Sequence, residues 1–207
     1  MPKDISNSEQ FGGFQSMNVT AGNFGMAMNG THYLEAFRFI ADEAPREVCA
    51  WFDSETLANP RGEQFKDMSG CIRVTTESGR RLYIDTSADQ GHGVQVTYMS
   101  RHGRITVDEL SGAMTSVVRM NEHLQAPTSR YGMPATIENL QIPPVELVNS
   151  TKAVLQDLIE DKNYPTLSDA TLAVKTLVGA YHSHRQGGIA VRLNDINDND
   201  SEVFPWA

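Results

Sequence analysis

A chain of 207 residues with 40% hydrophobic residues can close one sizeable core, and this length predicts a single domain. Its 17 basic residues against 26 acidic residues give a net charge of −9, which disfavours binding to nucleic acid or to an anionic membrane surface. The two cysteines, Cys49 and Cys71, lack CxxC spacing and are predicted to be free, buried thiols. With no run of roughly 18 apolar residues and no signal-peptide core, we expect a cytoplasmic chain without membrane or nucleic-acid partners.

The first elements are a strand, a glycine-rich loop and a helix. Residues 14–19 can pair as a strand, and the loop follows them. Residues 31–41 predict an amphipathic helix, because apolar residues recur there at steps of three and four. Asn29 or Thr31 is expected to cap this helix. Residues 47–52 predict the next strand.

The middle of the chain predicts short antiparallel strands. Turn residues separate two pairs of alternating segments, and we expect the four strands to form a meander, 71–76, 81–86, 94–100 and 104–109. The segment 114–120 is a further candidate strand. Residues 123–136 form a long predicted loop, of a length that is often functional.

The last part predicts two helices, over 143–161 and 167–186, and a strand over 189–193. The acidic tail contains Phe204 and Trp206, which could attach to a surface, although a frayed terminus is the more usual outcome. The sequence therefore predicts an α+β fold, an open and predominantly antiparallel sheet with helices packed on one face.

His32 is the candidate for chemistry. In the first turn of the predicted helix it would feel the positive helix end, which favours the neutral, proton-accepting ring. Glu35 lies one turn further and would oppose this effect or orient the ring. On spacing alone, a structural histidine is favoured over a catalytic one. His182 and His184 diverge by about 200° on the helical period, so a shared metal ion is not expected.

One long segment resembles a known family. GNFGMAMNGTHYLEAFRFI followed by EVCAWF is similar to the segment of the glucose-fructose oxidoreductase, inositol dehydrogenase and MocA family (Gfo/Idh/MocA) in which a glycine-rich loop leads into a helix with G-x-H-x-x-[DE]. Gly30, His32 and Glu35 stand at the motif positions. AYHSHRQGGIAVRL is similar to the closing helix and strand of that family. The resemblance covers residues 11–193, with a lead-in over 1–10 and an acidic tail over 194–207.

The resemblance implies the C-terminal α+β domain of such an enzyme without its N-terminal Rossmann domain. About ten residues precede the first matching strand, against the roughly 30 that one βαβ unit requires. NAD or NADP is therefore expected in a full-length or partnered enzyme and not on this chain alone. The resemblance further implies a sugar or polyol substrate, His32 as the catalytic base, a Rossmann partner and a homo-oligomer built through the sheet.

The chain departs from the family at one position. Met28 stands where family members often carry an Asp that binds the reacting sugar, and a thioether cannot replace a carboxylate. Candidate substrate-binding residues are Asn23, Asn29, Glu35, Arg130 and Tyr131. Two alternatives stay open, a noncatalytic dimerisation module that has kept the fold and a small-ligand-binding module that uses the glycine-rich loop.

Overall fold

The computed structural model describes residues 2–59, 61–127, 134–162, 164–197 and 202–206. The helices of this part are α1 Pro2–Ser6, α2 Met26–Ala41, α3 Leu147–Ile159 and α4 Leu167–Arg185. The strands are β1 Phe14–Gly22, β2 Pro45–Ala58, β3 Lys66–Thr76, β4 Arg81–Ser87, β5 Gln95–Ser100, β6 Gly103–Asp108, β7 Ala113–Arg119, β8 Ala135–Gln141 and β9 Val191–Arg192. Two single 3₁₀ turns cover Asn121–His123 and Leu193–Asp195.

The strands form one open sheet in the order β8-β7-β6-β5-β1-β4-β3-β2-β9. Every neighbouring pair is antiparallel except β1 and β4, which run parallel with Met17 opposite Leu82. The predicted meander is therefore wrong at its centre, since β1 is inserted between β4 and β5. Both predicted hairpins form, as β3–β4 and β5–β6. They are joined in the sheet through β1, which pairs with β4 on one side and with β5 on the other.

Two strand predictions also need correction. β2 continues to Ala58, through residues predicted as a loop, and pairs Thr56 with Met68 beyond a bulge. β8 was not predicted and lies at the sheet edge, paired with β7. Its side chains are nearly all exposed, so its sequence lacks the alternation of a half-buried strand.

The core lies between the sheet and the helices α2 and α4. Alternate residues of the central strands point into it, including Met17, Val19, Leu82 and Ile84, and Phe37 of α2 is fully buried against them. The α+β class with a mostly antiparallel open sheet is confirmed. Helix α3 departs from the predicted packing, because every residue in it except Asp157 is exposed. No helix in the described ranges is long and apolar enough to cross a bilayer.

The C-terminal segment 202–206 is attached to α4, so the favoured prediction of a frayed end is wrong for these residues. Phe204 and Trp206 stack at a ring distance of 4.4 Å, and the Tyr181 ring lies 5.3 Å and 5.1 Å from them. The backbone N–H of Lys66 donates to the carbonyl of Pro205 at 2.8 Å. Aromatic packing thus anchors the tail beside the N-terminal end of α2, where Trp206 lines the same small cavity as Met26.

Trp206→Ala should lower the free energy of unfolding by about 1–2 kcal/mol, because the half-buried indole ring is lost together with the apolar surface that it buries. Urea denaturation monitors the change. Val203→Ala is the control, since Val203 is 91% exposed and should not affect stability. Equal stabilities of the two variants would show that the tail does not pack in solution.

Candidate functional site

Helix α2 begins at Met26, five residues before the predicted start. Neither Asn29 nor Thr31 caps it, since the N-cap residue is Gly25, which has no side chain to cap with. The cap comes from β3, where the Asp67 carboxylate accepts from the backbone N–H of Ala27 at 2.8 Å and of Met28 at 2.7 Å. His32 therefore lies in the second helical turn, away from the free amides that were predicted to act on its ring.

The glycines before α2 make room for other parts of the same chain. A Cβ at Gly25 would lie 2.2 Å from the Asp67 carboxylate. A Cβ at Gly22 would lie 1.8 Å from the carbonyl oxygen of Gln90. These two glycines are thus required for close intramolecular contacts, which accounts for the glycine-rich composition without any ligand.

His32 is exposed, and its ring has no hydrogen-bond partner among the described residues. Glu35 does not orient this ring, because Arg38 donates to both Glu35 oxygens at 2.6 Å and 2.8 Å. Arg38 also forms an ion pair with Asp169 of α4 at 3.2 Å. Glu35 and Arg38 thus join α2 to α4, and the His32 ring is left accessible.

The charges in this contact reinforce each other. The hydrogen bond that Arg38 donates to Glu35 raises the pKa of Arg38, so the guanidinium stays charged. Thr166 caps α4, since its hydroxyl oxygen accepts the backbone N–H of Asp169 at 3.3 Å. The Asp169 carboxylate accepts the backbone N–H of Thr166 in return, and this bond lowers the pKa of Asp169. The ion pair is therefore maintained at neutral pH.

A groove of about 390 Å³ lies between α2 and the start of α4. His32 and Glu35 line it together with five neighbours, Thr31, Pro165, Ala170, Ala173 and Val174. Its wall on α4 is apolar, and its wall on α2 carries the imidazole of His32, the hydroxyl of Thr31 and the carboxylate of Glu35. The groove has the size of a small-molecule site, and the accessible ring nitrogens can accept or donate a proton there.

The other predicted substrate-binding residues lie in different places. Asn23 ends β1 with a positive φ of 50° and donates its backbone N–H to Ser87. Asn29 lies in the first turns of α2, and neither asparagine side chain has a hydrogen-bond partner in the described ranges. Neither is among the residues that line the groove at His32. Arg130 and Tyr131 lie outside the described residues.

The paired histidines of α4 are structural. His184 accepts the backbone N–H of Phe52 at Nδ1, 3.0 Å away. His182 contacts the Glu202 carboxylate at 3.2 Å. Within the described ranges, no three His, Cys, Asp or Glu side chains are arranged to hold a metal ion.

Neither a protein-family model nor a curated protein matches the sequence. Solved structures do match it. An NAD-binding oxidoreductase from Klebsiella pneumoniae is 15% identical with a TM-score of 0.70, over 95% of this chain and 62% of that one. An aldose-aldose oxidoreductase from Caulobacter crescentus, complexed with glycerol, is 14% identical with a TM-score of 0.63, over 92% and 59%. The transcriptional regulator Gal80p from Kluyveromyces lactis is 8% identical with a TM-score of 0.66, over 93% and 56%.

The chain has the fold of the Gfo/Idh/MocA-type oxidoreductases. The predicted resemblance is thereby confirmed at the level of the fold. The chain spans about three fifths of the length of these structures, as expected for their C-terminal domain without the Rossmann part.

The residues present do not fit a dinucleotide at the start of α2. A Gfo/Idh/MocA-type fold contains a strand, a glycine-rich segment and a helix here, which superficially matches a pyrophosphate site. The donors that would bind the pyrophosphate, however, are the N–H groups of Ala27 and Met28, and both are bonded to Asp67. The carboxylate would also repel the phosphates.

Sequence reasoning missed Asp67. It lies 40 positions after Ala27, and its side chain is buried although nothing in KDMSG distinguishes it from an exposed aspartate. Only the pairing of β3 within the sheet brings its carboxylate to α2. The sequence likewise contains no local pattern that predicts the positive φ of Asn23, which follows β1.

Asp67→Ala should lower the free energy of unfolding by about 2 kcal/mol, since two buried N–H groups lose their acceptor. Asp67→Asn keeps one acceptor oxygen and should have a smaller effect. Urea denaturation gives both values, and amide exchange at Ala27 and Met28 locates the change. Glu55→Ala removes an exposed acid of β2 and should leave stability unchanged. An unchanged Asp67→Ala stability would contradict the capping role.

Proposed function

We propose that this chain is the substrate-binding and oligomerisation domain of an NAD(P)-dependent sugar or polyol oxidoreductase, and that it is inactive without a Rossmann domain. The observation that carries the proposal is the unpaired, exposed ring of His32 beside the groove, at the position of the catalytic histidine that the family motif implies. The aldose-aldose oxidoreductase, complexed with glycerol, shares the fold and supports the substrate class.

In this proposal the His32 imidazole accepts the proton of the substrate hydroxyl. A nicotinamide held by a Rossmann domain would supply the acceptor for the hydride of the carbon that bears the hydroxyl. Thr31 lies beside His32 in the groove and can bind a second hydroxyl. Asn23, Asn29, Arg130 and Tyr131 are the further candidates for hydroxyl binding, and Glu35 contributes by holding Arg38 against α4.

Helix α3 supports the need for a further domain. Six large apolar residues on it are at least half exposed, Leu147, Val148, Val154, Leu155, Leu158 and Ile159. They recur at steps that place them on one stripe. An isolated helix of 13 residues is marginal in water, so a stripe of this kind is normally covered. The Rossmann domain of the proposed enzyme is the candidate to cover it.

A noncatalytic role is the second candidate function. Met28 provides no carboxylate at the sugar-binding position, and the structures with this fold include the transcriptional regulator Gal80p. In that case the fold would serve assembly alone, and His32 would have no function in it.

Titration of the purified chain with NADH should give no saturable fluorescence change, whereas glycerol or a sugar should shift the NMR signals of the His32 ring and of Thr31.

His32→Ala should weaken sugar binding about threefold, as expected for one lost hydrogen bond. His123→Ala removes a histidine that does not line the groove and is the matched control. A sugar affinity that is unchanged in His32→Ala would favour the noncatalytic role. Tight NADH binding by the chain alone would contradict the proposal that the cofactor site lies on a separate domain.

We also propose that the chain forms a homo-oligomer through the face of the sheet opposite the helices. Trp51 on this face is 50% exposed and Tyr83 is 37% exposed. Cys71 and Arg73 of β3 lie between them, opposite Trp51 and Tyr83 respectively. Both thiols of this face are free, and burial raises the pKa of Cys49 and of Cys71. One face of an open sheet is a self-complementary surface for a two-fold dimer.

Trp51→Glu should convert the dimer into a monomer, because it replaces an exposed aromatic ring of the proposed contact with a charge that would lose its water there. Light scattering coupled to size exclusion gives the mass. Phe39→Glu is the matched control, since Phe39 is an equally exposed aromatic residue on α2. A monomeric wild-type chain would contradict the proposed dimer, and so would a Trp51→Glu variant that remains dimeric.

A further inference from the structure

A second cavity lies away from His32, at the end of the β6–β7 hairpin. It has a volume of about 500 Å³, within the range of small-molecule sites. Most of its wall is apolar, formed by Pro2, Val107, Leu110, Ile142, Pro143, Pro144 and Val145. None of its lining residues is among those that line the groove at His32.

Polar groups meet at one end of the cavity. Tyr98 of β5 lines it and is only 7% exposed, yet its hydroxyl has no hydrogen-bond partner among the described residues. Glu109 also lines it, and its Oε2 accepts the hydroxyl of Tyr33 at 2.5 Å. The second oxygen of Glu109 has no partner in the same ranges. The ring of Tyr98 is thus nearly buried while its hydroxyl oxygen stays accessible to solvent, so the hydroxyl can donate to or accept from a ligand in the cavity.

Glu109, which is exposed, is the charged group among the lining residues. No lysine, arginine or histidine is among the lining residues, and no ion pair of Glu109 occurs in the described part of the chain. Burial, together with Glu109, raises the pKa of Tyr98 to about 12, so its hydroxyl stays neutral at physiological pH. The net charge of −9 favours a cation over an anion at such a site.

Hydrogen bonds hold the part of the wall at Gln141 and Ile142 in place. Gln141 donates from Nε2 to the carbonyl of Ser111 at 2.5 Å, and the backbone N–H of Ile142 donates to Gly112 at 2.8 Å. Pro143 and Pro144 follow and restrict the backbone. The cavity is therefore preformed, and a ligand would not have to order its wall.

We propose that this cavity binds a primary amine with a small apolar body. The ammonium group donates to the free oxygen of Glu109 and to the hydroxyl oxygen of Tyr98, and the apolar body contacts the wall that includes Val107 and Ile142. A carboxylate ligand would be repelled by Glu109. A neutral alcohol can donate its one O–H to Glu109 and accept the hydroxyl of Tyr98 without forming the ion pair, so the matched alcohol tests the charge.

The probe is 2-phenylethylamine, titrated into the full chain and followed by NMR of the backbone amides. Shifts should map to Leu110, Gly112 and Ile142, and 2-phenylethanol and phenylacetate should bind about tenfold more weakly than the amine or not at all. Equal affinity for the amine and the alcohol would overturn the proposal. Shifts confined to the His32 groove, or no saturable binding at millimolar concentrations, would overturn it as well.

Variants provide the second measurement. Glu109→Gln should weaken amine binding about tenfold and leave the weak alcohol binding unchanged, and Tyr98→Phe should weaken amine binding about threefold. Glu63→Gln is the control, because it removes the same charge from an exposed position outside the cavity. Thermal denaturation checks that each variant is folded. Equal amine affinities of Glu109→Gln and Glu63→Gln would refute the ion pair.

Discussion

The Asp67 carboxylate at the start of α2 is the contact on which the rest of the site depends. It connects β3 to the first amides of α2, and it is 2% exposed, so the charge is removed from water and compensated by N–H groups alone. Gly25 is necessary because any side chain there would occupy the same space. The rotation and start of α2 follow from this contact, and with them the direction in which His32 faces.

Patterns within about 20 residues predicted most elements of this fold, and contacts across the chain decided the features that were missed. The apolar period of α4 and the turn residues of the two hairpins are local signals, and the helix and the hairpins form as predicted. The insertion of β1 between β4 and β5 has no local signal, because it depends on the pairing of Met17 with Leu82 and Tyr98. The early start of α2 depends on Asp67 in the same way.

The candidate site keeps the family motif in its sequence, but the contacts of these residues differ from those that the motif predicts. The motif positions Gly30, His32 and Glu35 are occupied, but the structure uses Glu35 to hold Arg38 and gives His32 no partner in the described residues. The same fold serves an aldose-aldose oxidoreductase and a transcriptional regulator, so it cannot by itself select a reaction. Met28 stands where the family resemblance implies an Asp, and it is the position at which this chain departs from the motif.

Two uncovered apolar surfaces lie near opposite edges of the sheet, and this separation bears on how the chain assembles. Trp51 lies on β2, next to the β9 edge, whereas α3 begins six residues after the end of β8 at the other edge. Seven strand spacings separate β2 from β8, which corresponds to about 34 Å at the usual distance between strands. A partner that packs on Trp51 and the neighbouring strands would have to extend across the whole sheet to reach the beginning of α3. The two proposed partners, a second copy of the chain on the sheet and a cofactor-binding domain on the helix, would therefore occupy different surfaces.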